Sequence, residues 1–353
     1  MNTEFAPGFQ ARIPVGLLGA TGSVGQRFVQ LLHRHPWFEL VCLVASDSRA
    51  GETYGSQVTW AQNDPMPKAI ANLTLAKAMD LDPPQTPLVF SALPASAASP
   101  IETLLSEHGI FIVSNAASHR TDADVPLLIP EVNAAHLDHL NGKCLITGPN
   151  CCVAGLMLAL APLHKTFGLK RIFIATMQAL SGAGLPGAAG PLAEANVLPQ
   201  INGEVDKVET EPFKILSTWQ DGKFIAPDFQ ISALCNRVPV VDGHTMSLSL
   251  ELQTPATCEQ LIETWNTFQA EPQSLGLPSA PAQPVQYHPE FTAPNPREYT
   301  PRNGGMTTHI GQLAPCPILG HKFTLSTHNT LRGAAAGNLL IAELLVAKGL
   351  LPN

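Results

Sequence analysis

The chain has 353 residues, of which 45% are hydrophobic and 14% charged. That is ample apolar surface for sizeable cores and too little charge for extended disorder, and the length suits two packed domains. A net charge of -8 with no clustered Lys/Arg stripe lacks the electrostatic footprint of a nucleic-acid or anionic-membrane binder, so small-molecule partners are expected. The early apolar run Ile13–Leu18 is far shorter than the roughly 20 residues needed to cross a bilayer, and no basic flank or cleavage site precedes it; a cytoplasmic protein is expected.

In chain order, Ile13–Leu18 reads as a buried strand, Gly19–Gly25 as a tight turn, Gln26–His33 as a helix and Glu39–Ala45 as a second strand. A glycine turn between strand and helix is the context in which glycines signal a phosphate-binding loop. Gly19 permits the turn and Gly22 lets the backbone approach a pyrophosphate. Thr21, Ser23, Val24 and Gly25 complete a loop whose helix N-terminus offers free N–H groups to the anion. About 20 residues on, where the adenosine ribose is usually discriminated, stand Ser46, Asp47, Ser48 and Arg49. Ser46, Ser48 and Arg49 suit the 2′-phosphate of NADP, whereas an inward Asp47 would favour NAD; the reading leans to NADP with NAD as the alternative.

Leu88–Ala92 and Ile110–Ser114 continue the strand series, with a helix over Ile101–His108 between them, as a parallel sheet requires. The alternation ends near Thr147. Cys151, after Pro149-Asn150, opens an apolar helix read over Gly155–His164; a thiol at such a terminus is stabilised as thiolate. Arg171–Gln178, Gln230–Asn236 and Met246–Gln253 read as strands of a mixed or antiparallel sheet, and the proline-rich stretch Leu277–Pro296 as a surface arm outside the core. Ala334–Lys348 reads as a helix returning to the first domain. The seven cysteines, Cys42, Cys144, Cys151, Cys152, Cys235, Cys258 and Cys316, lack CxxC spacing, so neither a disulfide framework nor a structural metal site is expected.

The segments Gly19–Gly25, Val113–Ala116, Pro149-Asn150-Cys151, Met177–Gly184, Asn236–Val240 and Gly243-His244-Thr245 together resemble the aspartate-semialdehyde dehydrogenase family, its archaeal and fungal branch, over nearly the whole chain. The fold this implies is an α/β Rossmann-type N-terminal domain with an α+β catalytic and dimerisation domain. The boundaries are 1–148 for the dinucleotide-binding domain, completed by a terminal helix within 328–353, and 149–327 for the catalytic and oligomerisation domain. The activity implied is NADPH-dependent reductive dephosphorylation of L-aspartyl 4-phosphate to the semialdehyde, in biosynthesis of the aspartate-derived amino acids.

In that resemblance Cys151 is the nucleophile that forms a thioester, His244 shuttles protons, Gln178 orients the acyl group and Asn150 stabilises the oxyanion. Arg237 grips the α-carboxylate, Glu211 the α-amino group, and Lys214 and Arg120 the phosphate. Ser91, Leu93, Ser181, Gly182 and Asn329 join the cofactor contacts, Asn329 at the nicotinamide carboxamide. Partners implied are the small substrate, inorganic phosphate and further copies of the chain, as homodimer or homotetramer. Four positions depart from the pattern: Cys152 where Ser or Thr is usual, Gly148 before Pro-Asn-Cys, Glu52 in place of a base and Gln312 where Arg is frequent. They bear on cofactor preference and exact substrate; the alternatives are a related acyl reductase, of the malonyl-CoA or N-acetylglutamyl-phosphate type, and, since fold alone does not fix function, a catalytically silent dinucleotide sensor.

Overall fold

The computed structural model describes residues 5–46, 48–140, 142–184 and 196–351. Asp47 lies outside them, so its part in cofactor choice has no structural account.

The first sheet comprises β1 (Ile13–Leu18), β2 (Phe38–Val44), β3 (Leu75–Ala76), β4 (Leu88–Ser91), β5 (Phe111–Ser114) and β6 (Leu145–Thr147), in the order β3-β2-β1-β4-β5-β6 with every pair parallel. β4 and β5 are buried along their whole length, which is why they read as unbroken apolar runs: a parallel sheet is covered on both faces. α1 (Ser23–Leu32) and α2 (Ala95–Glu107) belong to this half. Both begin before the positions read from sequence. In α1 the Gly22 N–H closes the turn onto Gly19 O and Gln26 N–H already bonds Gly22 O, so the helix starts directly behind the turn. α2 runs through Pro100, giving up one ladder bond rather than stopping there.

α3 (Cys151–Phe167) starts four residues before Gly155, leads out of the first half and is buried over most of its length. It lies in the second core, which it shares with the mixed sheet of β7 (Leu169–Gln178), β10 (Gln230–Arg237), β11 (His244–Leu252), β12 (Val285–Tyr287), β13 (Thr308–Cys316) and β14 (Gly320–Thr327). A small exposed hairpin, β8 (Thr218–Gln220) with β9 (Lys223–Ile225), stands apart. The sheet order is β10-β7-β11-β14-β13-β12; β10/β7 and β12/β13 are parallel, the rest antiparallel. Inward residues of β7, β11 and β14, among them Ile172, Ile174, Met246, Leu248 and Leu325, meet α3. On the other face Phe173 and Leu234 stay exposed, at 42% and 56%, an apolar surface left uncovered among the described residues.

α4 (Glu204–Ile215) packs on α3 and β10, and α5 (Cys258–Asn266) on α3 and β12. The proline-rich stretch is not an arm outside the core. Within it β12 pairs with β13 at the sheet edge, and Leu277, Val285 and Ala293 are buried. Its prolines flank the three-residue strand instead of interrupting it, so no ladder donor is missing where one is needed. α6 (Ala335–Ala347) returns to the first half: Leu339, Leu340, Leu344 and Leu345 share one core with Phe28, Val29 and Leu32 of α1. No helix among the described residues is long and apolar enough to cross a membrane.

Candidate active site

Four strand ends and one helix start converge. β7 and β10 run parallel and finish side by side, with Gln178 opposite Arg237. β11 begins beside them at His244, opposite Thr327, the last residue of β14. α3 begins there with Cys151. A mixed sheet thus delivers one side chain from each of several strand termini to a single point.

Cys151 is half-buried, and its Sγ lies 3.2 Å from Nε2 of the fully buried His244. The Ala179 backbone N–H, which can only donate, reaches His244 Nδ1 at 3.0 Å. The neutral ring therefore carries its hydrogen on Nε2, pointing at the sulfur. Hydrogen bonding from the Cys152 thiol, against the opposing effect of burial and helped by His244, holds the Cys151 thiol well below its usual range. Burial and the neighbouring thiolate push Cys152 well above it. The atoms of Cys151, Cys152 and His244 lie within 4.8 Å of one another, close enough for a metal ion. With the ring hydrogen between nitrogen and sulfur, however, the trio is built as a hydrogen-bonded thiolate site.

The Asn150 side-chain amide, read as an oxyanion donor, is engaged at both ends within the protein. Its Oδ1 accepts from the N–H groups of Cys152 (2.8 Å) and Val153 (3.4 Å), and its Nδ2 donates to Glu204 at 2.9 and 3.1 Å. Asn150 is the N-cap of α3, as a residue of this type before a helix is apt to be. Since its carbonyl accepts from Ala154 N–H, the first-turn amide left without a partner among the described residues is that of Cys151 itself.

Glu211 and Arg120 form a buried pair at 3.0 Å, and the second carboxylate oxygen of Glu211 accepts from Asn150 N–H at 2.6 Å. Burial, set against Arg120, keeps the Glu211 carboxyl above its ordinary range. Arg120 donates to Asn115 O at 2.8 Å, while its Nε is buried with no partner among the described residues. Lys214 clamps the same loop through the carbonyls of Arg120 (2.8 Å) and Asp122 (2.6 Å), and burial pushes it down to about 8. Arg237 is buried, and its side chain gives Nη1 to Ala179 O at 2.8 Å and has no other hydrogen-bond partner among the described residues.

At the glycine turn, Gly19 has φ +75°, and a Cβ there would stand 2.7 Å from Ala92 O. Thr21 and Gly22 follow in the turn, and Ser23, Val24 and Gly25 in the first turn of α1, whose N-cap Gly22 leaves the end uncapped by any side chain. Arg49 reaches back to Thr21 Oγ1 at 3.5 Å, and Ser46 and Ser48 meet at 3.0 Å, so one polar cluster adjoins the turn. Ser91 Oγ, at the end of β4, is buried without a partner among the described residues, and Leu93 follows beside Gly19. These uncapped and orphaned groups suit a dinucleotide phosphate and sugar. Asn329 binds Gly243 N–H at 2.9 Å and Ser181 Oγ at 2.8 Å, tying the 180–184 turn, where Gly182 is exposed, to the loop before His244.

Glu204 escaped the motif reading although it accepts from both Asn150 and Gln178. The signal was present: Glu204-x-x-Lys207 repeats the Glu211-x-x-Lys214 pattern seven residues earlier, two helical turns away on the same face of α4.

Comparison with known proteins accords with this geometry. Residues 14–140 match the family model "Semialdehyde dehydrogenase, NAD binding domain" and residues 160–332 "Semialdehyde dehydrogenase, dimerisation domain". Aspartate-semialdehyde dehydrogenase of Methanothermobacter thermautotrophicus is 38% identical, over 94% of this chain and 99% of its own. The Saccharomyces cerevisiae protein of the same name is also 38% identical, over 95% and 98%. The crystal structure of the Candida albicans aspartate-semialdehyde dehydrogenase with NADP superposes with TM-score 0.89 at 35% identity, covering 96% of this chain and 99% of that one. The chain belongs to the aspartate-semialdehyde dehydrogenase family.

Proposed function

We propose that the chain interconverts L-aspartyl 4-phosphate and L-aspartate 4-semialdehyde with NADP(H), through a thioester on Cys151. The observation that carries this reading is the Cys151 sulfur 3.2 Å from His244 Nε2 at the start of α3, in a chain that aligns over 94% of its length with an aspartate-semialdehyde dehydrogenase.

The Cys151 thiolate attacks the C4 carbonyl; the new C–S bond forms as the C–O bond to phosphate breaks, and phosphate leaves with the electron pair. The dinucleotide, when bound, supplies the hydride that reduces the thioester. Collapse of the resulting thiohemiacetal expels the thiolate, and the His244 Nε2–H already faces the sulfur that regains the charge, with the Cys152 thiol close by. The backbone N–H of Cys151 stands at the positive helix end for the developing oxyanion. The unengaged edge of Arg237 takes the α-carboxylate and Glu211 the α-amino group, with Gln178 set beside the acyl carbon. The phosphate goes to Lys214 and to Arg120, whose orphaned Nε needs an acceptor. Gly19, Thr21, Gly22, Ser23, Val24 and Gly25 cradle the pyrophosphate. Ser46, Ser48 and Arg49 take the 2′-phosphate, which favours NADP, and Ser91, Leu93, Ser181, Gly182 and Asn329 line the nicotinamide side.

The same proposal divides the chain at 148/149, counts α6 with the first domain, sets the enzyme in the cytoplasm and pairs copies as homodimer or homotetramer through the open face of the second sheet. The exposed Phe173 and Leu234 support the last point.

Absorbance at the nicotinamide band should rise when semialdehyde, phosphate and NADP are mixed with the protein, and should stay flat without phosphate. Equal rates with and without phosphate would point to another acyl reductase of this architecture. Lys214 adds a pH signature. Its ammonium is present below about 8 and lost above, so phosphate binding weakens as pH rises. The KM for phosphate is expected to grow several-fold between about pH 7 and about pH 9 in the wild type, and to be high and flat in Lys214→Met.

A further inference from the structure

We propose that Glu204 is a positioning residue of this site, whose carboxylate sets which way round the side-chain amides of Asn150 and Gln178 point. The inference deepens the function proposed above and rests on it for its kinetic half.

Glu204 is the first residue of α4 and is buried. Its two oxygens accept from Asn150 Nδ2 (2.9 and 3.1 Å), from Gln178 Nε2 (3.2 Å) and from Lys207 Nζ (2.8 Å). Burial works against its charge, but Lys207, Asn150 and Gln178 hold the carboxyl below its ordinary range, so it is ionised at neutral pH. By shape, a primary amide fits its site equally well either way round; only a partner restricted to one role decides the orientation. An ionised carboxylate accepts and never donates, so it draws the NH2 ends of both amides to itself and turns both carbonyls away.

For Asn150 the freed Oδ1 falls on the N–H groups of Cys152 and Val153 and caps the helix that carries the nucleophile. For Gln178 both Nε2 contacts lie inside the protein, to Glu204 and to Thr176 Oγ1 at 3.4 Å, so the atom it presents to substrate is the acceptor Oε1. The charge has an effect of its own. Glu204 opposes the donors that stabilise the Cys151 thiolate, and a thiolate held less tightly is the stronger nucleophile.

Glu204→Gln replaces the two-oxygen acceptor with one acceptor and one donor, so a single oxygen is left for Asn150, Gln178 and Lys207. In the full-length protein kcat is expected to fall about 10- to 100-fold while the KM for semialdehyde changes less than about threefold. The midpoint of the pH profile for Cys151 alkylation by iodoacetamide should move to lower pH, because a negative charge near the thiolate is gone. A residue serving stability alone would not make the thiol more acidic while slowing turnover. Glu204→Asp, which keeps the charge, should retain the wild-type alkylation midpoint, and it carries the comparison should the glutamine variant fail to fold. The proposal is overturned by an unmoved or raised midpoint in Glu204→Gln, by wild-type kcat in that variant, or by a lowered midpoint in Glu204→Asp. The alkylation profile needs no substrate, so a wild-type protein inert toward the semialdehyde would defeat the functional assignment and leave this test standing.

Discussion

Cys151→Ser is expected to lower kcat by at least about a thousandfold, with affinity for NADP unchanged. The reason lies in the direction of the hydrogen bonds around the sulfur. The Ala179 N–H on Nδ1 leaves His244 presenting Nε2–H, so the imidazole facing position 151 is a donor. Donors stabilise an anion that already exists; they cannot take a proton from a hydroxyl that has not ionised. Cysteine comes pre-ionised at this helix start, and serine has no base beside it. Steady-state absorbance together with dinucleotide fluorescence titration checks both halves of the expectation, and a serine variant within about tenfold of wild type would show that the imidazole acts as a base toward residue 151.

The largest effect on stability is expected at Arg332. Its guanidinium meets the Glu131 carboxylate through both terminal nitrogens, one at 3.1 Å, and gives Nε to Met306 O at 2.9 Å; the two side chains are 1% and 0% exposed. Arg332→Met leaves Glu131 buried and unpaired, at a cost of about 3–5 kcal/mol. The midpoint of thermal unfolding should drop by about 6–20 °C. Arg332→Met with Glu131→Gln should recover part of the loss, because the orphaned charge has been removed as well. A single variant as stable as wild type would mean that water reaches the pair.

Local patterns carried far in this sequence. The glycine turn, the unbroken apolar strands of a doubly covered sheet and the apolar helix after Cys151 are each written in a few adjacent residues, and the architecture follows from their order. The convergence of Gln178, Arg237 and His244 became readable through family likeness, since the register of β7, β10 and β11 is a long-range property that no local window contains. The capping role of Asn150 was not legible for a related reason. Residue type allows an amide to be an oxyanion donor or a helix cap, and the choice is made by Glu204, 54 residues away. Counting the prolines of 277–296 likewise suggested an arm, because composition does not say that a three-residue strand fits between them.

Gly333 rests on the nucleophile: a side chain there would bring its Cβ to 2.8 Å from both Cα and Cβ of Cys151. Two residues later α6 begins, and it supplies the apolar side that β1 and α1 lack. The thiol is therefore backed by a segment made well after it, and the core that includes Ile13 is sealed only when Ala347 has been added. A ribosome that stalls before Ala335 would hold a nascent chain with a complete sulfur and no finished wall behind it, so chemistry at Cys151 waits on synthesis of α6.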